Sequence, residues 1–186
     1  IEENLSMNST IHSSEIRERR TGISLNLALA VVNTNNNGAP VRNARVDIWH
    51  CDKYGYYSGF VNTGYLGTID NTGKTFLRGI QNTDANGIVN FQTVYPGWYP
   101  GRVTHIHLEV FVNDISRKTT QIAFPDPVNR KVYTSSPLYT PHGVNTTVKK
   151  NIDDSVFKNS LADELATIIS ASPAAINSSF TIGVAL

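Results

Sequence analysis

His105 and His107 stand two residues apart in His105 to Val110, a run that alternates polar and apolar side chains. On a β-strand such neighbours share a face and lie about 7 Å apart, so their imidazoles can converge on one metal ion. Alone, the pair is as well explained by two exposed or core histidines. Glu109 shares the face but stands about 13 Å from His105 along a straight strand, too far to close around the same ion. Cys51 is the only cysteine, which excludes a thiolate zinc cluster. Further donors must come from loops. One is Tyr99, in the turn Tyr95-Pro96-Gly97-Trp98-Tyr99-Pro100-Gly101-Arg102 that leads into the strand; the others are Tyr54, Tyr56 and Tyr57, in the glycine-bounded loop from His50 to Phe60.

Phenols narrow the choice of metal. An unperturbed tyrosine has a pKa near 10, so its phenolate is scarce at neutral pH and serves Zn²⁺ or Mg²⁺ poorly. A hard, highly charged ion such as Fe³⁺ favours the anionic oxygen enough to overcome this. Two tyrosinates and two histidines leave Fe³⁺ with a net charge near +1, room for one more anionic oxygen ligand.

The elements that must position these residues read as strands. Ser24 to Val32 alternates on Leu25, Leu27 and Leu29, and Val41 to Trp49 carries Val46 and Ile48 on one face. Thr75 to Gln81 and Ile88 to Thr93 flank the turn Thr83-Asp84-Ala85-Asn86-Gly87 and read as a hairpin. After the strand of His105 come Lys118 to Phe124, a stop at Phe124-Pro125-Asp126-Pro127, and a loop-like stretch from Tyr133 to Val144. Val61 to Lys74 shows little periodicity. Ile152 to Ser172 fits a helix moderately, with part of it equally an edge strand, and Phe180 to Leu186 is a terminal strand. Short strands between Gly, Pro and Asn turns predict an all-β fold, an immunoglobulin-like β-sandwich with long loops and at most a short helix near the C-terminus. The expected organisation is one domain: a polar arm over 1–22, a core with the metal site over 23–124, and loops with a C-terminal strand over 125–186. Within the arm, Glu15 to Arg20 is a short helical turn or an extended segment.

The chain has 186 residues, a net charge of +1 and 17% charged residues, so no broad electrostatic footprint for nucleic acid is present. No apolar run approaches the roughly 18 residues that a membrane helix needs. The sequons at Asn4, Asn8, Asn145 and Asn177 are what a chain rich in Asn, Ser and Thr contains by chance. The first residue is Ile rather than Met, which with the low charge is compatible with an exported chain (periplasmic or extracellular) whose leader is absent from this sequence.

The tyrosines and histidines sit in segments similar to those of the intradiol ring-cleavage dioxygenases, non-haem Fe³⁺ enzymes that split catechols between the two hydroxylated carbons. The segments are VRNARVDIWHCDKYGYYSG (41–59), TFLRGIQNTDANGIVNFQTVYPGWYPGRVTHIHLEV (75–110) and TTQIAF (119–124). The chain resembles most the smaller, single-domain members often found as exported proteins. The resemblance implies an Fe³⁺ cofactor held by Tyr57, Tyr99, His105 and His107, with Tyr56 the neighbour most easily mistaken for Tyr57. It implies that Tyr99 leaves the metal when a catechol enters, and that Arg102 stabilises negative charge on the ring. Gln121 is implied to hold Arg102 or the substrate. His50, beside Trp49, is implied to be a structural hydrogen bonder. His12 and His142 read as surface or loop residues, Trp49 as packing, and Trp98 as packing that also suits a pocket wall.

The implied partners are a catechol-type substrate and O₂, and the implied product is a cis,cis-muconate-type diacid. Many members of that family carry a Glu-Gly-Pro-Tyr-type segment near the start, where this chain has Glu3-Asn4-Leu5-Ser6-Met7-Asn8. The departure bears on substrate choice and leaves the four implied ligands untouched. The β core begins near residue 24, so assembly through a large helical N-terminal region is not expected. Two other functions suit the same residues: a non-catalytic metal-binding module of this fold, and a metallohydrolase built on His105 and His107.

Overall fold

The computed structural model describes residues 12–186, and along its first strand, β1 (Ser24–Asn33), Leu25, Leu27, Leu29 and Val31 turn inward and are buried. One edge of β1 pairs in parallel with β11 (Ala175–Val184) over the whole strand, Ser24 opposite Ala175 and Asn33 opposite Val184. The other edge takes β7 (Ile88–Val94) and the short β2 (Ala39–Pro40), both antiparallel. β10 (Thr167–Ala171) closes the sheet beyond β11. The second sheet is antiparallel, with β3 (Arg45–Trp49) between β6 (Arg78–Asn82) and β8 (His105–Val112), and β9 (Ile115–Ala123) beyond β8. Val46, Ile48, Ile106, Leu108, Val110 and Ile122 meet the inward residues of the first sheet in one apolar core. Each aliphatic side chain so buried contributes about 1.5 to 3 kcal/mol. The β-sandwich expected from the strand pattern is therefore the observed fold.

Because strand side chains alternate, filling the core with Ile106, Leu108 and Val110 turns His105, His107 and Glu109 to the opposite face of β8. That face is covered too: His105 and His107 are buried. The arm contributes on the far side of the sheet edge. Ser14 and Ile16 exchange backbone hydrogen bonds with Gln92, and Leu77 N–H donates to the carbonyl of buried Ile16.

Four expectations change. The two strands around Asp84 to Gly87 do not form a hairpin: β6 pairs with β3 in one sheet and β7 with β1 in the other. Asp84 Oδ1 accepts from Asn86 N and Ile88 N, and Gly87 adopts φ +74°, so the turn carries the chain across the sandwich. Val61 to Lys74 is not all loop. It contains the hairpin β4 (Val61–Gly64) and β5 (Gly67–Asp70), which stands apart from both sheets. The stop at Phe124-Pro125-Asp126-Pro127 opens a helix, α1 (Asp126–Ser135), since proline in a first turn costs no hydrogen bond. Ile152 to Ser172 is not one helix: after a 3₁₀ turn (Asn151–Asp153) it has a single helical turn, α2 (Leu161–Glu164), and then β10, the edge strand its pattern equally allowed. The segment Glu3 to Asn8 lies outside the described residues. Among the described residues no helix is long and apolar enough to cross a membrane.

Candidate metal centre

Sheet register sets the first half of the site. Trp49 on β3 and Gln121 on β9 both lie opposite His107, one on each side. The indole of Trp49 stacks on the His107 ring, centroids 5.1 Å apart and planes 5° from parallel. Val103 orients His105: its carbonyl is 2.6 Å from Nδ1 and can only accept, so Nδ1 carries the proton and Nε2 keeps its lone pair. Burial pushes the His105 pKa well below the usual histidine value, helped by the neighbouring His107 and Arg102. His105 is thus neutral, the form that binds metal.

Two loops supply the phenols. Tyr99, Pro100, Gly101 and Arg102 form a tight turn closed by Arg102 N–H to Tyr99 O, 3.1 Å, with Gly101 at φ +90°. Proline followed by a left-handed glycine suits a type II turn, which makes Tyr99 and Arg102 its two ends. Three buried phenols brace the segment before the turn. Tyr133 donates to the Pro96 carbonyl, Tyr139 to that of Tyr95, and Tyr95 to Asn129 Oδ1 on α1. Burial raises the pKa of all three, keeping them protonated donors. From above, Asn145 donates to Arg102 O and Thr147 Oγ1 accepts from Gly101 N.

Tyr57 is held at its backbone. Its N–H donates to Asn62 Oδ1 and its carbonyl accepts from Asn71. Buried Arg78 donates twice to the adjacent Ser58. The two loops press together where Gly55, at φ +90°, meets the Trp98 carbonyl: a Cβ there would run into that oxygen.

Four donor atoms meet as a result. Tyr57 Oη lies 3.3 Å from His105 Nε2 and 3.2 Å from His107 Nε2. Tyr99 Oη lies 3.2 Å from His105 Nε2, and the two Nε2 atoms are 3.2 Å apart. Donors about 2.1 Å from a common centre, about 100° apart, are separated by about 3.2 Å. With Nδ1 of His105 protonated, its Nε2 faces three electron-rich atoms. A cation between them satisfies all four, so the residues fit a metal ion. Two of the donors are phenols, the set expected for a ferric ion. Glu109 turns elsewhere and accepts from Ser116. Tyr56 also points away: its hydroxyl donates to Gly67 O and accepts from Leu66 N, pinning the tip of the β4–β5 hairpin.

Arg102 and Gln121 lie beside the cluster, Arg102 Nη2 donating to Gln121 Oε1 at 2.5 Å. The guanidinium also donates through Nε to both oxygens of Asp154, at 3.2 and 3.0 Å. The sequence reading missed Asp154, which stands in a stretch with no clean periodicity. Phe157, three residues on, packs against the His105 ring. His50 is buried and bridges Cys51 O and Thr93 Oγ1. His142 is not the bland loop residue expected, since it stacks on Trp98 with centroids 4.1 Å apart and packs on Tyr65.

Fold and site together define a β-sandwich protein in which two tyrosines and two histidines converge on the outer face of one sheet. A family model described as Dioxygenase matches residues 5–136. An intradiol ring-cleavage dioxygenase from Tetranychus urticae superposes with a TM-score of 0.82 at 32% identity, covering 94% of this chain and 87% of that one. The protocatechuate 3,4-dioxygenase beta chain of Burkholderia cepacia is 37% identical over 101 residues, 49% of this chain and 41% of that protein. Catechol 1,2-dioxygenase 1 of Acinetobacter lwoffii is 29% identical over 106 residues, 47% and 32% of the two chains. The chain belongs to the intradiol ring-cleavage dioxygenase family. Its matches span less than half the length of these two curated relatives.

Proposed function

We propose that this chain is a non-haem Fe(III)-dependent dioxygenase that opens the ring of a catechol-type substrate between its hydroxylated carbons, using O₂ and giving a cis,cis-muconate-type diacid. The observation that carries this reading is the convergence of the Tyr57 and Tyr99 oxygens with the His105 and His107 nitrogens, beside the Arg102 guanidinium. Tyr57, Tyr99, His105 and His107 would hold the ferric ion, which supplies Lewis acidity toward two adjacent phenolic oxygens and the redox capacity that opens the ring to O₂.

The side chains divide the remaining work. Tyr57 is fully buried and fixed at N–H and carbonyl, so it serves as a permanent anchor. Tyr99 is half-buried on a turn and is the phenolate better placed to move. Its oxygen would take a proton from an incoming catechol hydroxyl. His105, locked with its proton on Nδ1, presents a lone pair with no proton to lose. Arg102 offers a preorganised positive charge for the negative charge that builds on the ring, worth most in a site largely closed to water. Gln121 fixes one of its nitrogens.

An oxygen electrode with the iron-loaded protein tests the proposal across catechol, protocatechuate, hydroxyquinol and larger catechols. Oxygen uptake with at least one of them is expected. Full iron occupancy without uptake on any would favour the non-catalytic module, and tightly bound zinc without iron would favour the hydrolase.

A further inference from the structure

Asp154 is fully buried, and every polar contact of its carboxylate reaches toward the active-site turn or its own segment. Both oxygens accept from Arg102 Nε. Oδ2 also accepts from the backbone N–H of Val103, 2.9 Å, the residue whose carbonyl orients His105. Oδ1 also accepts from Val156 N, 2.9 Å, which fixes the carboxylate to its own loop. One buried anion therefore grips both the guanidinium and the backbone just before the first histidine. It reaches them from 52 and 51 residues away, out of the C-terminal part of the chain.

The geometry of the guanidinium shows what this grip does. Arginine presents a rigid planar fork, and whichever edge is held decides where the other points. Asp154 takes Nε and Gln121 takes Nη2. The ring of Phe157 lies 5.7 Å from Cζ and also packs against His105. Nη1 takes part in none of these contacts, on a guanidinium that shares the Phe157 ring with His105. A long side chain with three or more free torsions would otherwise spread over many rotamers. A buried charge-assisted pair confines it, and such hydrogen bonds are about twice as strong as neutral ones.

We infer that Asp154 is a positioning residue for ring cleavage, holding the Arg102 guanidinium in the one orientation that leaves a nitrogen free to meet the substrate's developing negative charge. This rests on the reading of Arg102 given under the proposed function. It adds a partner from the 3₁₀ turn segment, which joins the active site to the C-terminal part of the chain.

The test compares Asp154→Asn, Asp154→Glu, Arg102→Ala and the double variant Arg102→Ala/Asp154→Asn as iron-loaded proteins. Rate, visible absorption, iron content and thermal midpoint are measured for each. Asp154→Asn is expected to keep iron and colour and to lose about 10- to 100-fold in kcat, with KM for catechol changed far less. Asp154→Glu, which keeps the charge, should recover part of the rate. The double variant should be no slower than Arg102→Ala, because a residue that acts through Arg102 has nothing left to act on. Additive losses would overturn the inference, as would loss of iron or thermal midpoint in step with rate in both Asp154 variants. Each of these would make Asp154 a structural tie. Wild-type kcat in Asp154→Asn beside a slow Arg102→Ala would sink this inference alone. Wild-type kcat in Arg102→Ala would defeat the role of Arg102 itself, and the inference with it.

Discussion

Tyr56 and Tyr57 are chain neighbours that point in opposite directions, and that difference is where the site can be tested residue by residue. Tyr57→Phe should bind iron less well and lose most of the tyrosinate-to-metal colour. Tyr56→Phe should keep both, since its hydroxyl ties only Leu66 and Gly67 of the hairpin tip. Visible spectra and iron content of the two proteins decide the matter. Arg102→Ala should retain iron and colour but lose about 10²- to 10³-fold in kcat, the range for removing one preorganised stabilising group. His50 gives a prediction about stability rather than iron content. Burial lowers its pKa from 6.5 to about 4. Between those values the unfolded chain takes up a proton that the folded chain refuses. His50 therefore costs no stability above pH 6.5, and stability falls by up to about 3 kcal/mol as pH drops from 6.5 toward 4. Urea midpoints for His50→Gln should fall less steeply over that range than wild type; equal slopes would contradict the burial argument. At this scale the sequence was informative wherever a residue type was unusual for its setting. Paired histidines and phenols beside a glycine-rich turn stand out, whereas a lone aspartate such as Asp154 in a patternless stretch does not.

Between residues and molecule, the elements that matter are two loops leaning on each other and the strand between them. Gly55→Ala should separate the tyrosine loops, because its new Cβ strikes the Trp98 carbonyl and a left-handed φ of +90° adds strain of about 1 to 3 kcal/mol. Gly67→Ala is the control. Its φ is +86° but nothing lies within 4 Å of the added carbon, so it carries the strain without the collision. Iron retention should fall in Gly55→Ala and hold in Gly67→Ala, with the larger loss of thermal midpoint in Gly55→Ala. The strand β8 was legible because Ile106, Leu108 and Val110 alternate with polar residues without a break. The β4–β5 hairpin was not, because Val61, Tyr65 and Leu66 are exposed and no buried face imposes a period. α1 was hidden by Pro125 and Pro127, which read as breakers although a helix tolerates proline in its first turn. The turn at Asp84 to Gly87 was read correctly as a turn, but local chemistry does not tell whether the strands it joins stay in one sheet.

Across the whole molecule, the first and last strands lie side by side, and the C-terminal half reaches back to complete a site made mostly by residues 57 to 121. Removing residues 175–186 would bare one full edge of β1 and strip Ile176, Ile182 and Val184 from the core. At about 1.5 to 3 kcal/mol each, those three side chains alone match much of a domain's net stability of about 5 to 15 kcal/mol. The truncated chain should lack a cooperative thermal transition by circular dichroism; a sharp transition near the wild-type midpoint would show that the C-terminal strand is dispensable. The sandwich was readable from the spacing of strands and turns. The parallel closure of β1 by β11 was not, because no local signal connects strands about 150 residues apart. The central claim is that this scaffold inserts O₂ between the two hydroxylated carbons of a catechol, and labelled oxygen tests it most directly. With ¹⁸O₂ and the iron-loaded protein, mass spectrometry should find a ring-opened diacid carrying label from O₂ in its carboxyl groups. An aldehyde from cleavage beside the hydroxylated carbons, or a quinone without label, would contradict it.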